Sequence, residues 1–151
     1  MALWQYNFSI LPKYNSCDFS LSIQLEKKDG CFDMEHLWKL SKTKLDCFDL
    51  FATILPRNKS WSKSIILFGK EDTNCVEILV EDGSVIDVSV RIDFTTEYTS
   101  LLTDIVEFCI MKEFIMVDEQ LNVVPLRVVE ILTLIEHSPQ REKFNLLSKS
   151  K

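Results

Sequence analysis

Cys75-Val76-Glu77-Ile78-Leu79-Val80-Glu81-Asp82-Gly83-Ser84-Val85-Ile86-Asp87-Val88-Ser89-Val90-Arg91-Ile92-Asp93-Phe94 is the stretch that decides the fold. Val76, Ile78 and Val80 alternate with Glu77, Leu79 and Glu81. Ile86, Val88, Val90, Ile92 and Phe94 alternate with Asp87, Ser89, Arg91 and Asp93. Period-two alternation on both sides of a glycine is the mark of a half-buried hairpin. A two-residue Asp82-Gly83 turn would pair Leu79 with Ile86 and set the apolar rows on opposite faces. A three-residue loop Glu81-Asp82-Gly83, with Gly83 in a left-handed G1-bulge position, pairs Val80 with Ser84 and Ile78 with Ile86. It also sets Val76 opposite Val88. The second register is expected, because a one-residue slip sends a whole row to the wrong face. It makes Val76, Ile78, Ile86, Val88, Val90 and Ile92 a structural inner row. It also places Glu77 opposite Asp87 on the outer face, a like-charge pairing that folding alone does not explain.

Similar patterns extend outward from the hairpin. Trp4, Tyr6, Phe8 and Ile10 predict a strand ended by Pro12, and Phe19, Leu21, Ile23 and Leu25 a second. Asp29-Gly30 reads as a turn and Asp33 as the cap of a short helix from Met34 to Leu40. Leu45, Phe48, Leu50, Phe51 and Ile54 keep mostly helical spacing as far as Pro56. Residues 57–63 read as a basic loop around Trp61, and Ser64–Phe68 as a strand central in the sheet. Beyond the hairpin, Thr95 or Thr96 is expected to cap a helix from Glu97 to Lys112 with Leu101, Leu102, Ile105, Phe108 and Cys109 inward. Short strands follow at Phe114–Val117 and Leu121–Val124. A helix opened by Pro125 runs to Glu136, and a last one starts at Ser138-Pro139 and frays at its end. The sum is a single α+β domain over residues 1–151, an antiparallel sheet with helices packed on one face.

Charge is distributed unevenly. Between Glu71 and Glu119 stand thirteen carboxylates against two cations, Arg91 and Lys112, which more than accounts for the net charge of −6. A dense acidic surface attracts cationic partners and repels nucleic acid and anionic lipid. The block has two readings: a solvated face that keeps an apolar domain soluble, or a docking face for a basic protein.

Motifs for chemistry are missing. The three glycines, Gly30, Gly69 and Gly83, cannot write a dinucleotide fingerprint or a Walker loop. The two histidines fit no zinc spacing. His36 lies in a helix, and His137 is placed to meet the carbonyls of the last turn before it. Glu71-Asp72-Thr73-Asn74 lacks the spacing of a calcium loop and reads as a polar turn. The five cysteines are widely spaced, with no C-x-x-C pair, and read as reduced, mostly buried small hydrophobes. No apolar run reaches the ~20 residues of a membrane span, and no signal-peptide pattern opens the chain. The expectation is therefore a cytoplasmic, non-enzymatic protein with no cofactor, no metal, no catalytic residue, no nucleic acid and no membrane contact.

Leu3-Trp4-Gln5-Tyr6, Leu11-Pro12, Ser60-Trp61-Ser62, Phe68-Gly69, a hairpin ending Arg91-Ile92-Asp93, a helix, and a strand leading to Pro125 follow in order. This order resembles a group of small bacterial proteins, some of which resemble immunity proteins of polymorphic-toxin and contact-dependent inhibition systems. The Ser138–Leu147 region departs from that group in being more polar and lysine-rich. The resemblance implies a protein that neutralises a basic toxin domain from a sister cell, and it transfers no functional residues. From the charge pattern, Glu77, Glu81, Asp82, Asp87 and Asp93 are the candidate partner contacts, with Arg91 orienting the carboxylates. Two other readings compete: a small-ligand or enzymatic site on the open sheet face around Arg91, and self-association through a strand edge.

Overall fold

The computed structural model describes residues 4–13 and 34–149. The expected strand at Phe19–Leu25, the Asp29-Gly30 turn and the Asp33 cap lie outside the described residues. In chain order the elements are β1 (Gln5–Pro12), α1 (Met34–Ser41), a 3₁₀ helix (Leu45–Thr53), β2 (Arg57–Asn58), β3 (Ile65–Gly69), β4 (Cys75–Glu81) and β5 (Ser84–Asp93). Then come α2 (Thr99–Lys112), β6 (Phe114–Val117), β7 (Val123–Val124), α3 (Val128–Glu136) and α4 (Pro139–Lys149). Among the described residues the strands form one seven-stranded sheet in the order β2-β3-β4-β5-β1-β6-β7. Every described pair is antiparallel. The protein is an α+β domain, as the patterning predicts.

The hairpin register differs from the expected one. Glu81 pairs with Ser84, so the turn is the two-residue Asp82-Gly83. Both turn residues take positive φ, 51° at Asp82 and 75° at Gly83, the primed geometry that matches the twist of the flanking strands. A bulge then corrects the faces. Val80 pairs with Val85 and Leu79 with Asp87, leaving Ile86 as the extra residue. From there Ile78 meets Val88 and Val76 meets Val90, so the apolar rows coincide after all. Val85 is buried in the place expected of Ile86, which is only half-buried. The adjacent apolar pair Val85-Ile86, breaking strict alternation, was the signal for the bulge.

Inner-face side chains of neighbouring strands continue the row. Tyr6 and Phe8 of β1 stand across from Ile92 and Val90, and Phe68 of β3 across from Val76. On this face Phe51 of the 3₁₀ helix lies 5.8 Å, ring to ring, from Phe68 and 4.3 Å from Phe108 of α2. Phe108 and Trp38 also meet Phe114, at 5.7 and 5.3 Å. Aromatic pairs at such spacings add to plain burial. One aromatic cluster thus ties α1, the 3₁₀ helix and α2 to the sheet. The cap of α2 also departs from expectation. The helix starts at Thr99 without a side-chain cap at Tyr98. Thr95 and Thr96 are instead used by Asp93, whose carboxylate accepts from Thr95 N at 2.8 Å while its carbonyl accepts from Thr96 Oγ1 at 2.8 Å. Glu113 closes α2 in the left-handed region (φ 57°), and β6 begins at the next residue. No helix among the described residues is long and apolar enough to cross a membrane.

Candidate functional site

Opposite the helices, β4 and β5 present Glu77, Leu79, Asp87, Ser89 and Arg91. The residue across from Glu77 is Ser89, not Asp87, and Asp87 stands across from Leu79. The expected like-charge rung is therefore absent, and the bulge is the reason. Glu77 instead lies between two diagonal neighbours on β5, two residues to either side of Ser89: Arg91 and Asp87. Arg91 Nη1 is 3.3 Å from Glu77 Oε1 and donates to the Glu71 carbonyl at 3.2 Å. The first contact is ionic without hydrogen-bond alignment, because Glu77 Oε1 is buried with no hydrogen-bond partner. Asn7 Oδ1, on the β1 residue paired with Arg91, is likewise buried and unbonded. A buried acceptor left unsatisfied costs roughly 1–3 kcal/mol.

Burial sets the electrostatics here. It raises the Glu77 carboxyl above its ordinary pKa; Arg91 opposes the rise, and Glu71 and Asp87 reinforce it. Burial also raises Asp87, countered by a hydrogen bond from the Val88 backbone. One guanidinium thus serves Glu77 alone of two half-buried carboxylates that resist ionisation, and folding gains nothing from their charge. Perturbed pairs of this kind cluster at functional sites, and structural ion pairs produce them too.

The other candidates separate. Glu81 and Asp82 are exposed at the hairpin tip. Asp93 is a correction: it is 2 % exposed, its carboxylate bonded to Thr95, so it has no surface to offer. Sequence neighbourhood in the acidic block does not become one patch either. Asp104 and Glu107 line a cleft on α2 with Leu50 and Met111, and Asp118 and Glu119 occupy the β6–β7 turn. The expected basic loop contributes a two-residue edge strand, with Arg57 5.6 Å above the Phe68 ring. Trp61, 78 % exposed, borders a cleft of ≈ 720 Å³ with Lys59, Lys70 and Asp72. Nothing in the residue pattern announced two further features. Gln5 is buried and bonds the carbonyls of Glu71 and Thr73, at 3.1 and 2.9 Å. Tyr6 lines a second cavity beside His137.

What the fold and this site define is an α+β domain with an ion-paired, partly desolvated carboxylate cluster on the sheet face away from its helices. No family model, no curated protein and no solved structure matches the chain.

Proposed function

We propose that this is a cytoplasmic, immunity-type binding protein that holds a basic toxin domain through the carboxylates of the β4–β5 hairpin. The observation that carries the reading is Glu77, kept partly desolvated with Arg91 as its ionic counterweight, beside Asp87, which burial also holds above its ordinary pKa. A cation arriving from a partner stabilises both charged forms, so docking recovers what folding loses at this face. Glu81 and Asp82, exposed at the tip and with no ion-pair partner among the described residues, steer the approach. The order of motifs that resembles immunity-associated proteins supports the same class. A small-ligand site at Arg91 is the weaker reading, since its guanidinium is already engaged by Glu77 and the Glu71 carbonyl.

Capture of the tagged chain's partners in its own host tests this. A basic protein should follow it, elute as salt is raised, and be encoded beside it. Recovery of no basic protein, or of one whose retention ignores ionic strength, contradicts the proposal.

A further inference from the structure

Tyr6 has a second neighbourhood at the far end of β5 from the hairpin tip. The start of β1, the β6–β7 turn and the α3–α4 junction enclose a cavity of ≈ 390 Å³, within the range of small-ligand sites. Tyr6, Asp118, Glu119, His137 and Gln140 are among its lining residues, and no lysine or arginine is among the described ones. Tyr6 is 7 % exposed, and its hydroxyl has no hydrogen-bond partner among the described residues. The ring of Tyr6 is buried while its hydroxyl stays accessible, unpartnered and facing the cavity.

The neighbours of Tyr6 define what the cavity accepts. Asp118 is used by its own turn: Oδ1 accepts from the backbone N–H groups of Gln120 and Asn122, both at 2.9 Å, and Oδ2 from Asn122 Nδ2 at 3.1 Å. Glu119 Oε2 accepts from Gln140 Nε2 at 2.9 Å, leaving Oε1 without a partner among the described residues. His137 Nδ1 lies 2.9 Å from the Thr133 carbonyl. A carbonyl can only accept, so Nδ1 carries the proton, and in the neutral ring Nε2 is left as an acceptor. Ser138 is spent, donating to the Ile135 carbonyl and accepting from Arg141 N. Three acceptors therefore remain at one cavity: the Tyr6 hydroxyl, Glu119 Oε1 and His137 Nε2. Two carboxylates supply negative potential, with no cation among the described lining residues to offset it.

We infer that this cavity is a binding site for an ammonium or guanidinium group, carried by a free amine or by a lysine or arginine side chain. An ammonium brings three N–H donors, and a guanidinium brings five in a planar fork. The Tyr6 phenol, raised to about 12 by burial and by Asp118 and Glu119, keeps its proton, so it adds no third negative charge to the two carboxylates. The inference stands apart from hairpin docking, because the two sites share no residue.

The test is an NMR titration of the full chain with n-butylammonium and with methylguanidinium, following the imidazole resonances of His137. Potassium chloride and sodium acetate serve as controls. Saturable shifts are expected with the two cations and not with the controls. The affinity should fall about tenfold in Glu119→Gln, the loss expected of one charge-assisted hydrogen bond. Tyr6→Phe, which keeps the ring in the core, should also weaken binding, with the amide spectrum confirming the fold of both variants. A blocked Gly-Arg-Gly peptide separates the sources: binding as tight as methylguanidinium assigns a side chain, and binding of the free cations alone assigns a small amine. No saturable shift, an equal response to acetate, or an unchanged affinity in Glu119→Gln overturns the assignment. Hairpin variants should leave the titration as it is, which keeps its failure distinct from failure of the docking reading.

Discussion

Two glycines with nearly the same backbone should respond very differently to alanine. Gly83 sits at φ +75° with no atom within 4 Å of the position a Cβ would take. Its substitution therefore carries the left-handed penalty alone, roughly 1–2 kcal/mol, reduced by the ~0.4–1 kcal/mol that alanine gains by restricting the unfolded chain. The net is about 1 kcal/mol, or about 2–4 °C in Tm for a chain of this size. Gly69 sits at φ +84°, but a Cβ there would collide with the Asn74 carbonyl oxygen and lie 3.1 Å from Cys75 Cα. The obstruction is backbone and cannot swing aside. Asn74 is pinned from the other side as well, because its Oδ1 accepts from Asp93 N at 2.6 Å and its Nδ2 donates to Thr96 Oγ1 at 2.8 Å. Overpacking adds about 1–3 kcal/mol to the conformational penalty, so Gly69→Ala should lose roughly 2–4 kcal/mol and about 5–15 °C. Thermal unfolding followed by circular dichroism reads both variants. Equal losses, or a larger loss at Gly83, would refute the reasoning about which glycine the fold requires for space.

Asp87 gives a pH-dependent prediction. Burial places its folded pKa above the unfolded one, so the penalty for charging it is full above the folded pKa and vanishes below about 3.9. Asp87→Asn should therefore stabilise the protein at pH 7 by more than the roughly 0.5 kcal/mol of an ordinary surface change. The gain should fade as the pH drops through the folded value and be gone below the unfolded one, and a gain independent of pH in urea titrations would contradict the cause given. The cysteines give another. Burial raises Cys75 and Cys109 to about 12 and Cys47 to about 11. At pH 8 only about one Cys75 or Cys109 in 10⁴ is thiolate, which is the reactive form. Mass spectrometry after alkylation should find both unmodified in the native protein and modified in urea; rapid native labelling of either would show that they are not held as described.

Much of the fold was legible because burial writes itself as periodicity. The hairpin rows, the α2 stripe from Leu101 to Cys109, and the Phe114–Val117 strand all appear where alternation or helical spacing puts them. Register was not legible in the same way. A two-residue turn and a compensating bulge give the same row of buried valines as the three-residue loop, and only Val85-Ile86 distinguishes them. The 3₁₀ helix at Leu45–Thr53 and the Arg57–Asn58 edge strand depend on what packs around them, which local spacing does not encode. For the site, sequence identified Glu77, Arg91 and Asp87 as outer-face residues but placed Asp93 with them. Alternation gives the face of a residue, not whether a neighbouring turn closes over it, and Thr95 does so. The acidic block misled for a related reason: proximity along the chain became several separate locations once the sheet was formed. His137 lay where its helix end predicts, against the Thr133 carbonyl. The cavity it shares with Tyr6 depends on residues 131 positions apart and had no sequence signal.

The most direct measurement is the affinity of the captured basic partner for the native chain and for the double variant Glu77→Lys/Asp87→Lys, with the fold of the variant checked by circular dichroism. If the hairpin face is where the partner's cations settle, reversal of both charges abolishes binding while the protein stays folded. An affinity unchanged from the native chain would place docking elsewhere and remove the basis of the proposed function.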